Sequence, residues 1–203
     1  MSKAVMLSIR PKWCEKIASG EKTIEVRKTR PKLETPFKCY IYCTSVKSMN
    51  LQDYVDAISS AVDDWSGKVI GEFMCCATIP ISVEYSDPSH RMAQRDFPFT
   101  GMTDKQIIDY LGNGKMGYGW LILDLKIYDN PQELSKFRVE DKPAIKACKH
   151  RFRAGQPEYV ARHGGWLQGG WGCMKNGEPE WCENCLTKPL TRPPQSWCYV
   201  EKV

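Results

Sequence analysis

The sequence lacks any long apolar run. Its 203 residues contain no uninterrupted apolar stretch close to the ~18 residues that a membrane-spanning helix requires. The N-terminus reaches Arg10 and Lys12 without the apolar core of a signal peptide. Internal repeats and low-complexity tracts are also missing. These absences predict a soluble, cytoplasmic chain without a membrane partner, and they leave its oligomeric state open.

The composition is that of an ordinary globular protein. Apolar residues make up 42% and charged residues 26%, which excludes wholesale disorder. The net charge of +5 is uneven, because residues 1–50 carry 11 basic and 4 acidic side chains whereas residues 51–137 carry 7 and 13. Residues 138–203 are basic again, with 11 and 7. Basic segments at both ends can attract phosphate, and the acidic middle suits a solvated opposite face.

Hydrophobic patterns predict a mixture of strands and helices. Alternation and short apolar runs predict strands over residues 4–10, 22–28, 38–44, 67–83, 118–128 and 196–202. Helical spacing predicts helices from Pro11 to Gly20, over 51–63 and from Thr103 to Leu111, with a short helix or turn after Pro131. The order of these elements predicts an α+β chain built on a small β-barrel with helices at its ends.

One segment of this chain resembles a known family. The pattern Gly-x-Lys-x-x-Glu-x-Arg, at Gly20, Lys22, Glu25 and Arg27, is similar to the signature of the ASCH domain in the PUA-like superfamily. The strands predicted further on look like those of the family, so the resemblance covers roughly residues 3–137. It implies a PUA-like mixed β-barrel with flanking helices over residues 1–137. The basic, Cys-rich extension 138–203 would return its last strand to the barrel.

The resemblance implies that the chain binds RNA or a modified nucleotide in a cleft lined by this segment. Lys22 suits a point-charge contact to phosphate and Arg27 a forked one. Glu25 can accept from a base amino group or orient Arg27. Arg10 and Lys12 are candidate contacts to backbone phosphate. Strict alternation puts Lys22 on the opposite face from the other two motif residues, unless a bulge or the start of the strand brings it round.

A hydrolase is the alternative that the resemblance leaves open. A small bacterial relative is an amidohydrolase of acetylated cytidine that uses a lysine, a threonine three residues later and a distant glutamate. This chain has Glu25 where the threonine would be, which removes the hydroxyl group and favours a binding protein. In an enzyme acting on a modified nucleoside or RNA, Lys22 would be the catalytic lysine, with a pKa lowered by burial, and Glu25 or Glu72 the base. A protein-interaction adaptor is a weaker third reading.

Three aromatic residues lie near the motif in the predicted fold. Trp13, Tyr40 and Tyr42 could stack on unpaired bases, at about 1–3 kcal/mol for each base. They could instead fill the core, which we favour for Trp13 and Tyr42.

Ten cysteines are unusual for a cytoplasmic chain. Six lie in or beside apolar stretches, where buried thiols are expected: Cys14, Cys39, Cys43, Cys75, Cys76 and Cys148. The others, Cys173, Cys182, Cys185 and Cys198, have the spacing C-x8-C-x2-C-x12-C, which favours a structural zinc site. Packed thiols and a redox Cys-x-x-Cys remain alternatives, as do His150 and His163 as the fourth ligand. A zinc ion would stabilise a loop-rich extension that is poor in apolar residues.

Overall fold

The computed structural model describes residues 3–45, 64–82, 99–140, 151–153, 171–175, 178–180 and 187–201. The chain divides into two compact units. The larger comprises Met1–Phe137 and Thr191–Val203, and the smaller comprises Arg138–Leu190.

The larger unit is a sheet with two α-helices among its described residues. Its elements, in chain order, are β1 (Lys3–Ile9), α1 (Pro11–Ala18), β2 (Ile24–Arg27), β3 (Phe37–Cys43), β4 (Val69–Ile81), α2 (Asp104–Leu111), β5 (Gly117–Gln132), a short 3-10 helix (Leu134–Lys136) and, at the end of the chain, β11 (Trp197–Glu201). Each strand predicted from the sequence is present, although β2 begins two residues later and β5 runs four residues further. The helix predicted over 51–63 lies outside the described residues.

Six strands form the sheet in the order β11-β1-β3-β4-β5-β2. Strands β1 and β3 are parallel, as the intervening α1 allows, and the other neighbours are antiparallel. The last strand pairs with the first, with Cys198 opposite Met6. The two edges of the sheet are therefore the short β2 and the C-terminal β11.

The predicted closed barrel is not seen in the described residues, because no backbone ladder joins β2 to β11. The two edges are nevertheless in contact, since the Arg27 guanidinium donates to the Ser196 carbonyl at 3.2 Å. Side chains make the connection instead: Trp197 Nε1 donates to Thr29 Oγ1 at 3.0 Å, and the Lys32 main-chain N–H donates to the Tyr199 hydroxyl at 2.8 Å.

Both faces of β2 are buried, which is unusual for an edge strand. Ile24 and Val26 pack with Ile107 and Leu111 of α2. The alternate residues, Glu25 and Arg27, lie on the same side as their register neighbour Trp120, which belongs to the main core. The main core gathers residues of α1 and of strands β1, β3, β4 and β5. The motif carboxylate and guanidinium therefore face the interior.

Helix α2 begins with the capping predicted at Thr103. Thr103 Oγ1 accepts from the Gln106 main-chain N–H, and Gln106 Oε1 accepts from the Thr103 N–H, which together form a capping box. An isolated helix of eight residues is marginal in water. Burial of Ile107 and Leu111, at about 1.5–3 kcal/mol each, therefore supplies most of its stability.

The smaller unit contains short strands. The pair β6 (Arg138–Glu140) and β10 (Thr187–Pro189) is antiparallel, and Arg138 donates to the side chain and the carbonyl of Thr187. A three-stranded sheet is formed by β7 (Arg151–Arg153), β8 (Trp171–Lys175) and β9 (Glu178–Glu180). Across the described residues of both units, no helix is long and apolar enough to span a bilayer.

Candidate functional site

Lys22 lies just before β2, and this position brings it to Glu25. The preceding Gly20 has a φ of +82°, a conformation that glycine adopts without strain, and it reverses the chain after α1. Because Lys22 precedes the strand, its side chain does not follow the alternation of β2. Lys22 Nζ lies 3.3 Å from Glu25 Oε2. The strand start, rather than a bulge, thus unites the two residues that strict alternation separates.

The ammonium group of Lys22 is buried and its hydrogen bonds are complete. The residue is 2% exposed, and Nζ donates to the carbonyls of Thr100 at 2.6 Å and Ile24 at 2.9 Å in addition to the contact with Glu25. An ammonium group has three N–H donors, and these three partners use all of them. Burial lowers the pKa of Lys22 and outweighs the opposing effect of Glu25.

Glu25 lies between the two cations. Its Oε1 accepts from Arg27 NH2 at 2.9 Å while Oε2 faces Lys22, and Glu25 and Arg27 are 6% and 5% exposed. The Arg27 guanidinium also donates to the Ser8 carbonyl at 2.8 Å and to the Ser196 carbonyl and hydroxyl at 3.2 and 3.3 Å. The three motif residues therefore form one buried, charged cluster.

Two buried N–H donors beside this cluster have no hydrogen-bond partner among the described residues. One is Arg27 Nε and the other is Trp120 Nε1. Trp120 is the register partner of Glu25, so both donors lie on the same face of adjacent strands. A buried donor without a partner is rare and costs about 1–3 kcal/mol. Trp120 is fully buried, so these two donors are an internal cost of the fold rather than a surface that a ligand contacts.

Arg10 and Lys12 lie at the start of α1. Arg10 is the N-cap residue and is exposed, and Lys12 is half-buried. Lys12 Nζ lies 5.3 Å from the centroid of the Trp13 ring, and Lys22 Nζ lies 5.4 Å from the same centroid. Trp13 therefore connects the buried cluster to a basic surface. Such cation–π contacts contribute about 0.5–1 kcal/mol where they are exposed.

The other two aromatic residues belong to the sheet. Tyr40 is 1% and Tyr42 6% exposed, whereas Trp13 is only partly buried. The preference for core packing holds for Tyr42, and Trp13 packs against the main core while it stays partly exposed. Glu72, the alternative base, lies in the middle of β4 beside Tyr40, and its partners are Lys38 and Tyr128 rather than Lys22.

Residues outside the motif complete the cluster. Sequence reasoning missed the Thr100 carbonyl, the Ser8 carbonyl, Ser196 and Trp120. Contacts to main-chain carbonyls cannot be predicted from residue type, since every residue has a main-chain carbonyl. Trp120 could have been found from the register of β2 and β5, because it follows Tyr118-Gly119 in the predicted strand that pairs with the motif.

The cysteines of the larger unit are free thiols. Cys14, Cys39, Cys43 and Cys75 are buried and Cys76 is half-buried, as expected, while Cys148 lies outside the described residues. Burial raises the pKa of Cys75 to about 12 and that of Cys198 to about 11. These thiols are therefore protonated at neutral pH.

The four predicted zinc ligands are divided between the two units. Cys198 lies in β11 of the larger unit and Cys173 in β8 of the smaller one. Cys182 and Cys185, as well as His150 and His163, lie outside the described residues. Among the described residues, no three His, Cys, Asp or Glu side chains cluster as a metal site. The zinc site remains a prediction.

No protein-family model matches this chain, and no curated protein matches it. It is similar to crystal structures of an ASCH protein from Zymomonas mobilis and of two point mutants of that protein. The TM-score is 0.45 and the identity 15–16%, over 85–87% of this chain and 88–93% of those chains. These structures carry the family name that the Gly-x-Lys-x-x-Glu-x-Arg resemblance gives. At this sequence identity and TM-score, the comparison says nothing about the activity of this chain.

Proposed function

We propose that this chain is an ASCH-type protein that binds RNA or a nucleotide beside the cluster of Lys22, Glu25 and Arg27. The observation that carries the proposal is the link between this cluster and the basic start of α1, where Lys12 Nζ and Lys22 Nζ lie 5.3 and 5.4 Å from the centroid of the same Trp13 ring. A partly exposed aromatic ring beside basic side chains suits an unpaired base and its phosphate.

Within this proposal the cations have different roles. Lys22 is a positioning residue, because its three donors already hold the Ile24 and Thr100 carbonyls and Glu25. Arg27 is also a positioning residue, because it holds Glu25, Ser8 and Ser196. Arg10 and Lys12 supply phosphate contacts from the start of α1, and the partly exposed Trp13 offers a stacking surface.

Arg10 and Lys12 at the start of α1 test this proposal better than the buried residues do, because replacing them does not disturb the core. We expect Arg10→Ala and Lys12→Ala each to weaken binding of a fluorescently labelled single-stranded RNA several-fold at low salt. Each should also reduce the slope of log affinity against log salt by about 0.7. Lys105→Ala on α2 is the matched control, since its side chain is 73% exposed and its ammonium group pairs with Asp109 at the surface, 3.0 Å away. An unchanged affinity in the Arg10→Ala, Lys12→Ala double variant would refute the proposal.

A hydrolase is the second candidate, and one observation favours it. The lowered pKa of the buried Lys22 is a feature that catalytic lysines share. Against it, all three of the lysine's donors are engaged, and the position three residues later is Glu25 rather than a hydroxyl residue. Incubation with a panel of acylated nucleosides and with RNA, followed by mass spectrometry, distinguishes the two. Product formation that Lys22→Met abolishes would establish catalysis, whereas binding without product supports the binding protein.

A further inference from the structure

A cavity lies on the opposite face of the sheet from the Lys22 cluster. Along β3, Cys39 and Ile41 enter the main core, so the intervening Tyr40 faces the other way. Tyr40, Glu72 and Lys126 are register partners on β3, β4 and β5, and this row lines a cavity of about 390 Å³. That volume falls within the range of about 300–1,000 Å³ typical of small-molecule sites.

The carboxylate of Glu72 is held in one orientation inside this cavity. Its Oε1 accepts from Lys38 Nζ at 3.0 Å and its Oε2 accepts from the Tyr128 hydroxyl at 2.7 Å. Partial burial raises the pKa of Glu72, but the hydrogen bonds from Tyr128 and Lys38 outweigh it, so the net pKa is lowered. The group is therefore an ionised acceptor at neutral pH, and each oxygen retains a further lone pair.

The remaining lining combines aromatic rings with positive charge. The rings of Tyr40 and Phe137 meet edge to face at 4.8 Å on one side of the cavity. Lys126 and Lys136 are exposed at its border, and Lys136 Nζ donates to Gln132. With Lys38, three lysines surround the two carboxylates Glu72 and Asp129. Because the cavity has positive side chains as well as carboxylates, it disfavours a simple amine and favours a ligand that carries both N–H donors and an anionic group.

From this arrangement we infer that the cavity binds a nucleotide whose base carries an exocyclic amino group. The amino group donates to Glu72, the base lies against the partly exposed Ile127 and Tyr128 of the lining, and the phosphate contacts Lys126 and Lys136. Adenine, cytosine and guanine have the required donor, and uracil does not. The site is separate from the one in the proposed function and does not depend on it.

Calorimetric titration of the full chain with CMP, AMP, GMP, UMP and inorganic phosphate tests the inference. We expect at least one amino-bearing nucleotide to bind about tenfold more tightly than UMP, since a hydrogen bond to a charged group is worth at least that factor. Phosphate alone should bind more weakly still. Absence of nucleotide binding at millimolar concentration, equal affinity for UMP, or phosphate binding as tight as that of the nucleotide would each overturn it.

Variants separate this site from the Lys22 cluster. Glu72→Gln should lower the affinity about tenfold and reduce the preference over UMP, whereas Glu34→Gln, the same charge change at an exposed loop residue, should not. If Glu72→Gln fails to fold, the exposed pair Lys126→Ala and Lys136→Ala provides the test, with a weaker affinity and a smaller salt dependence expected. Nucleotide binding unaffected by the Lys126, Lys136 double variant would refute the assignment. Arg10→Ala and Lys12→Ala should leave unchanged the nucleotide binding that Glu72→Gln weakens, so the two proposals can fail independently.

Discussion

The guanidinium group of Arg27 donates a hydrogen bond to the main-chain carbonyl of Ser8 over 2.8 Å. Arg27 ends β2 at one edge of the sheet, while Ser8 belongs to β1, the neighbour of the opposite edge strand β11. The same guanidinium reaches Ser196, immediately before β11. One side chain therefore links the two edges of the sheet at a place where, in the described chain, no backbone ladder does.

Arg27→Lys should destabilise the protein although it preserves the charge. A lysine ammonium donates from a single point, whereas the planar guanidinium reaches Ser196 through one terminal nitrogen and Glu25 and Ser8 through the other. We expect the free energy of unfolding to fall by about 1.5–3 kcal/mol, the value of one or two hydrogen bonds to a charged group. Urea unfolding followed by tryptophan fluorescence measures it. Arg30→Lys, at an exposed residue beside Tyr118, is the control and should change stability by about 0.5 kcal/mol or less. Equal effects would show that Arg27 does not join the edges.

The sequence predicts the strands of the larger unit well, because their apolar alternation is read locally. Thr103 and Pro11 predict the starts of the two helices for the same reason. Closure of the barrel is not a local property. It depends on whether the two edge strands pair, and in the described chain side-chain hydrogen bonds rather than a backbone ladder join β2 to β11.

The motif predicts the members of the cluster but not their partners. Alternation places Glu25 and Arg27 on one face of β2. The contact between Lys22 and Glu25 forms because β2 starts only at Ile24, so that Lys22 lies outside the alternation. The depth of burial is also not readable from a charged segment, since charged residues are mostly exposed. The cavity beside Glu72 depends on strand register, which the spacing of residues along one strand does not contain.

Glu25→Gln should be among the most damaging single changes in the larger unit. It leaves two cations close together in the interior without their shared carboxylate, and breaking a buried ion pair on one side costs about 3–5 kcal/mol. Chemical unfolding measures the loss, and adding Lys22→Met should recover part of it. Glu21→Gln is the matched control, because its carboxylate is 63% exposed and pairs with Lys16 at the surface. If the two glutamine variants had the same free energy of unfolding, the buried ion pairs of Glu25 would not stabilise the fold.

The stability of the protein should depend on the protonation of Lys22. Its pKa is lowered in the folded state, mainly by burial, from the ordinary value of 10.5. Between the lowered pKa and 10.5 the unfolded chain binds more protons than the folded chain, so this residue makes stability rise with pH in that window. Below the window the folded protein carries the full cost of burying the charge.

The measurement compares the wild type with Lys22→Met from pH 7 to pH 10. The difference in unfolding free energy should shift in favour of the wild type as pH rises, with a slope of at most about 1.4 kcal/mol per pH unit. Tyrosine and cysteine titrations are common to both proteins and cancel in the difference. A difference that stays constant, or that moves against the wild type, would contradict a lowered pKa.

The zinc prediction for Cys173, Cys182, Cys185 and Cys198 can be tested on the purified chain. Metal analysis should find one zinc per chain, because four thiolates in a Cys-x-x-Cys framework form a closed tetrahedral site. Cys185→Ser should remove the metal and destabilise the smaller unit, whereas Cys76→Ser on β4 should keep it. Zinc retained by Cys198→Ser but lost from a His150 or His163 variant would assign the fourth ligand to histidine. If the chain is isolated without zinc and takes up none on titration, the zinc prediction is wrong. The remaining interpretations of these cysteines are then packed thiols or a redox-active pair.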